Sequence, residues 1–202
     1  MGRLTRVAGL VLCAGLTGRE PAAAQTPERF TVQVLLQDEA GVPADVLEQA
    51  KHEAARVFGL SNIDLEWLEP GPYQPRSLTL RIVAAPIGTE SRHRFVLGFA
   101  PGTLKARGII AFAFYDRIQI YGADLGLDGS EMLGHVIAHE LGHLLLPYDA
   151  HSPSGLMRRG WDEAQANQAR MGLLTFTPHQ AALIRERLSA SVSGQTPARR
   201  RE

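Results

Sequence analysis

His139, Glu140 and His143 stand in the stretch "GHVIAHELGHLLLPYDAHSPSGLM", residues 134–157. Two imidazoles four residues apart project from one face of a helix and can share a metal ion. The Glu between them is the residue type that takes a proton from a metal-activated water. Zinc (Zn2+) suits this donor set, because a catalytic zinc takes three protein ligands and keeps its fourth position for water. The spacing predicts a zinc site acting on a polarised carbonyl, with His139 and His143 as ligands and Glu140 as general base. Met132, Leu133, Val136, Ile137, Leu141, Leu144 and Leu145 make the same segment an apolar helix, whatever the histidines do. Two imidazoles and a carboxylate on a buried helix are costly without partners, and a metal supplies one. His135 is in register one turn earlier. Three ligands on one straight helix would span about 12 Å, too far for one ion, so His135 is read as a supporting or solvated residue.

The third ligand is open on spacing alone. After Pro147 the chain must turn before "HSPSGLM" brings His151 back, and Asp149 lies within that turn. Glu163, twenty residues past His143 in "WDEAQAN", is a further carboxylate that a second helix could supply.

The stretch resembles the metzincin clan of zinc endopeptidases, whose pattern is His-Glu-x-x-His-x-x-Gly-x-x-His followed by a Met-containing turn. His139, Glu140 and His143 match directly. The resemblance implies His151, followed by Ser152, as third ligand and Met157 in "SGLM" as the Met-turn, a hydrophobic floor below the metal. Two departures stand out. Leu146 replaces the Gly, and His151 arrives two residues late, with Asp149 at the clan's usual third position. Some clan members use Asp there, whereas Glu163 would follow the minimal Glu-zincin pattern. "AGVPADVLEQAKHEAARVFGL", "AFAFYDRIQIY" and "LTFTPHQAALIR" are further similar to a family of secreted bacterial zincin-like proteins in which the His-Ser-Pro segment accompanies the helix motif. His151 is the ligand that this resemblance favours.

Several elements must position these residues. "RFTVQVLLQD" (29–38) reads as a strand, and "ADVLEQAKHEAARVFGL" gives a helix with Val46, Leu47, Ala50, Ala54, Val57 and Phe58 on one face. "IDLEWLE" (63–69) alternates as a half-buried strand. "SLTLRIVAAPI" is a third strand after a Pro/Gly turn at 70–75. Residues 87–107 read as a surface loop. "GIIAFAFYDRIQIYG" (108–122) reads as one long strand or a hairpin bent near Asp116. In the metzincin arrangement "AFAFYDRIQIY" would be the edge strand that pairs with an extended peptide. Asp128 with Glu131 has capping-box spacing at the start of the site helix, and Pro147 ends it. One or two helices close the chain, the second starting at Thr177-Pro178. This order predicts an α+β fold of zincin or metzincin type: a mixed sheet with active-site helix, Met-turn and C-terminal helix. Tyr148 and Tyr121 are candidate donors to a developing oxyanion. Trp161 is expected beneath the site, and His52, His93 and His179 at surface or capping positions.

The 202 residues are 45% hydrophobic and 21% charged, with a formal net charge of zero, so nothing favours a nucleic-acid or anionic-membrane partner. Residues 1–24 read as a signal peptide: Arg3 and Arg6 precede an apolar run from Val7 to Leu16, and Ala22-Ala23-Ala24 offers a cleavage site. Ten apolar residues are too few for a membrane anchor. The single cysteine, Cys13, leaves with that segment, so no thiol remains as nucleophile or ligand. Residues 25–190 form one catalytic domain and 191–202 a disordered tail. The expected protein is a secreted or periplasmic zinc endopeptidase, a monomer with a peptide or protein substrate. The alternative is a non-proteolytic zinc-binding envelope or secreted module on the same scaffold.

Overall fold

The computed structural model of the chain describes residues 28–69, 76–85, 96–102 and 108–192. The expected signal peptide, the turn at 70–75, His93 and most of the expected tail lie outside the described residues.

β1 (Phe30–Asp38), α1 (Ala44–Gly59) and β2 (Ile63–Leu68) form a βαβ unit with parallel neighbouring strands. β3 (Leu78–Val83) joins the other side of β1, again in parallel, and β5 (Ile110–Phe114) adds parallel to β3. β4 (Gly98–Phe99) closes the order β2-β1-β3-β5-β4 as an antiparallel edge, pairing Gly98 with Ala113 and Phe99 with Phe112. β3 sits at the centre and is buried along nearly its whole length, as a strand covered on both faces must be. The result is an α+β domain: a five-stranded mixed sheet with five helices among the described residues.

Residues 115–124 depart from the expected strand. They form helix α2 (Tyr115–Asp124). A strand would have put Ile118 and Ile120 on the same face, yet Ile118 is fully buried and Ile120 is 66% exposed. The apolar positions that count are Ile118 and Gly122, four apart, which is helical spacing. The alternation in "AFAF" stops at Phe114. The consequence matters for the site, since β5 is an interior strand and cannot accept a peptide. Among the described residues the edge on that side is β4, inside the stretch read as a loop.

α3 (Gly129–Leu145) carries the His-Glu motif and packs on α1, α2 and the β5 side of the sheet. Its N-cap is Asp128, whose carboxylate accepts from Ser130 N at 2.8 Å. The expected Glu131 half of a capping box is not among its bonds. At the other end Leu146 N still reaches Gly142 O at 2.8 Å, but Leu146 itself is extended, the conformation that a following proline imposes. Two further helices close the domain, α4 (Glu163–Arg170) and α5 (Pro178–Val192), the latter running two residues into the expected tail. Arg187 of α5 donates to Leu144 O at 2.6 Å, satisfying a carbonyl that the end of α3 leaves free.

Candidate metal centre and cleft

α3 is buried on almost every side, and His139 and His143 are the points where it opens towards a cleft of about 450 Å³. Their Nε2 atoms stand 3.1 Å apart. His139 Nδ1 lies 2.8 Å from Leu156 O. A carbonyl can only accept, so His139 carries its proton on Nδ1 and turns a bare Nε2 lone pair to the cleft. The loop after Pro147 then returns His151, whose ring centroid is 4.6 Å from that of His143 and 5.6 Å from that of His139. Ligand atoms of His139, His143 and His151 all lie within 4.8 Å of one another, and this is the one such group of donors among the described residues.

The other candidates fall elsewhere. Asp149 is not in the cluster; its Oδ1 is 3.6 Å from His151 Nδ1 and 3.3 Å from Arg159 Nη2. Glu163 is exposed on the first turn of α4. His135 is completely buried and faces α1, with Nε2 3.2 Å from Glu53 Oε1 and Nδ1 2.9 Å from Glu131 O, so the solvated reading does not hold. His52 and His179 are exposed. Tyr121 donates its hydroxyl to Trp161 O, which removes it as an oxyanion donor, whereas Tyr148 is 57% exposed on the cleft wall.

Do three imidazoles here fit a metal ion? Burial pushes His139 down to about 4 and His143 to about 3, and His151 is also lowered, chiefly by burial. All three are therefore neutral near pH 7, the form that ligates a metal. Zinc–nitrogen bonds of about 2.0–2.1 Å place ligand nitrogens a little over 3 Å apart in a tetrahedron, and the His139–His143 pair already stands near that separation. Three neutral imidazoles that converge on one point, with His139 presenting a bare Nε2, fit one cation.

Glu140 is 5% exposed on the cleft wall, and burial alone raises its carboxyl to about 8. Gly98 on β4 faces it closely: a Cβ at that position would stand 2.5 Å from Glu140 Oε1. The edge strand and the carboxylate therefore meet in the same wall. Met157 is fully buried, and a Cβ on Gly142 would stand 2.7 Å from its Sδ. Its thioether thus packs directly on α3, next to the His143 turn. Trp161 lies edge-on to His139 at 6.0 Å between ring centroids.

What fixes the return loop was not visible from the motif. Gln180, buried on the first turn of α5, donates Nε2 to Ser152 Oγ at 3.0 Å and to Ala150 O at 3.3 Å, one residue either side of His151. Its Oε1 accepts from Thr177 N at 3.0 Å while Thr177 Oγ1 accepts from Gln180 N. That is a capping box, and the spacing Thr177-x-x-Gln180 could have revealed it. We expect Gln180→Leu to weaken zinc binding by about 10–100-fold, the range for losing a group that orients a ligand, measured by chelator competition. Thr177→Ala should lower stability by about 1 kcal/mol through the lost cap, yet leave zinc affinity nearly unchanged.

No protein-family model matches the sequence, and no curated protein does. Solved structures that share the fold include the following two. One is a zinc-dependent peptidase from Methanocorpusculum labreanum, with a TM-score of 0.51 at 13% identity over 75% of this chain and 99% of that one. The other is an archaemetzincin from Methanopyrus kandleri, with a TM-score of 0.50 at 14% identity over 79% of this chain and 96% of that one.

Proposed function

We propose that the chain is an exported zinc-dependent peptidase of metzincin type. The observation that carries this reading is the convergence of His139, His143 and His151 beside the buried Glu140, in a cleft lined by Gly98 and Phe99 of β4. The similarity to two zinc peptidase folds agrees with it.

Zinc, held by the three imidazoles, would acidify a water and polarise a substrate carbonyl. The residues of this chain do the rest. Glu140 accepts a proton on its carboxylate and returns it to the departing amine, which needs its raised pKa brought down by a neighbouring cation. β4, the edge of the sheet among the described residues, would offer the backbone of Gly98 and Phe99 to an extended peptide. Met157 supports the helix from below, in the role of the Met-turn. Tyr148, exposed in the wall, would be the donor to an oxyanion. The export of the protein rests on the sequence of residues 1–24, with cleavage after Ala24.

The test is direct. Purified protein should carry one zinc per chain and cleave a mixed peptide library; a chelator should abolish cleavage and added zinc restore it. Cleavage that persists after complete zinc removal would overturn the reading. Gly98→Ala should lower kcat by about 10²-fold at unchanged zinc content, since its Cβ displaces the Glu140 carboxylate by about an ångström.

A further inference from the structure

The cleft holds two arginines, neighbours in sequence but not in circumstance. Arg158 is engaged: Nη1 donates to Asp162 Oδ2 at 2.8 Å and also to Gln165. Arg159 is 75% exposed, and its hydrogen bonds use one nitrogen only, Nη2, on Asp149 Oδ1 at 3.3 Å and His151 Nδ1 at 3.4 Å. Both contacts are long. Asp149 is itself 66% exposed, so the pair is a solvent-screened one that contributes little and exchanges readily. The remaining donors of the guanidinium have no hydrogen-bond partner among the described residues.

A metal held by the other nitrogen of His151 would loosen the hold of Arg159 on His151 further. With the other nitrogen of His151 engaged, Nδ1 carries the proton and becomes a donor. Asp149 is then its acceptor, and Arg159 has nothing to offer that atom. A planar fork of donors is left at the wall of a cleft that Leu97, Phe99 and Leu146 make largely apolar. Such a fork binds carboxylates in two-pronged fashion.

We infer that Arg159 is a specificity residue that receives a substrate carboxylate, either an acidic side chain or a free C-terminus, near the bond that is cut. This rests on the peptidase reading. Arg159 Nη2 stands 3.4 Å from His151 Nδ1, and the ring with a metal–nitrogen bond adds about 4 Å, so at about 3.4 Å per extended residue that carboxylate would lie about two or three residues from the scissile bond.

The experiment uses the zinc-loaded full-length protein carrying Glu140→Gln, so that peptides bind without turnover. Calorimetry would compare a blocked alanine–leucine hexapeptide carrying one Glu, walked through its six positions, with the corresponding Gln peptides. A second arm compares the neutral hexapeptide with a free C-terminal carboxylate against its amide. At least one carboxylate peptide should bind tenfold or more tightly than its neutral counterpart, and the arm in which it does so identifies the source. Adding Arg159→Gln should reduce that ratio to below twofold, and Arg159→Lys should retain part of it. No ratio above twofold, a ratio that survives Arg159→Gln, or no binding of any peptide would each overturn the inference. The two readings fail separately. A wild-type enzyme that cleaves all peptides alike removes the carboxylate preference and leaves the peptidase. An inert wild type whose Gln variant still discriminates removes the peptidase and leaves the carboxylate site.

Discussion

Glu140→Gln should lower peptide hydrolysis by about 10²–10⁴-fold, the contribution of a positioned general base, with zinc per chain unchanged. The amide keeps the shape of the carboxyl in a place where only 5% of the residue is exposed, but it cannot take up a proton. Zinc content is the control that matters, because His139 and His143 lie on either side of Glu140 along α3. A second readout comes from the metal-free protein. Burial raises the Glu140 carboxyl to about 8 against an ordinary value of 4.5. Between those values the folded chain holds a proton that the unfolded chain has lost. Glu140 alone therefore lowers the stability of the metal-free wild type as pH rises from 4.5 to 8, and this fall is the net slope above about 6.5, where the histidines are neutral in both states. Glu140→Gln should remove that slope. The lowered histidines act in the opposite sense, costing stability as pH falls below 6.5, and they are common to both proteins. A Gln variant as active as wild type would remove Glu140 from the reaction. A zinc-loaded wild type inert on varied peptides would instead favour the non-proteolytic zinc-binding module.

Local sequence carried most of the scaffold. The 3.6-residue period of α1 and α3, the Asp128 cap and the pre-proline stop at Leu146 are all short-range effects, and the structure has them where they were expected. α2 was not legible, because "AFAFYDRIQIY" alternates well enough to pass for a strand. What decides it is whether Ile118 or Ile120 finds the core, which is tertiary. β4 is two residues long and exists only through pairing with β5, so no window of sequence announces it. The site divides along the same line. His139, Glu140 and His143 are one helical face and could be read directly. The contact of Gly98 with Glu140 joins residues 42 positions apart, and the bond from Gln180 to Ser152 joins residues 28 apart. Neither leaves a local pattern.

The third donor is the question that sequence spacing left open, and a ranked set of substitutions decides it. His151→Ala should weaken zinc binding by well over the 10–100-fold that losing a supporting group costs, because it removes one of three converging nitrogens. Asp149 is expected to fall inside that range. Its Oδ1 stands 3.6 Å from His151 Nδ1, where it can accept the Nδ1 proton and orient the ring from behind. The choice of substitution matters here, since Asp149 has a φ of 56°, a left-handed conformation that Ala resists and Gly or Asn tolerate. Asp149→Gly removes the acceptor without that strain. Asp149→Asn keeps an acceptor oxygen and should restore most of the affinity. Glu163→Ala, exposed on α4, should change nothing. Chelator competition on the four variants gives the order directly. If Asp149→Gly costs more than His151→Ala, the carboxylate is the ligand at the usual metzincin spacing. His151 then becomes its support, and the two-residue-longer turn after Pro147 needs another explanation.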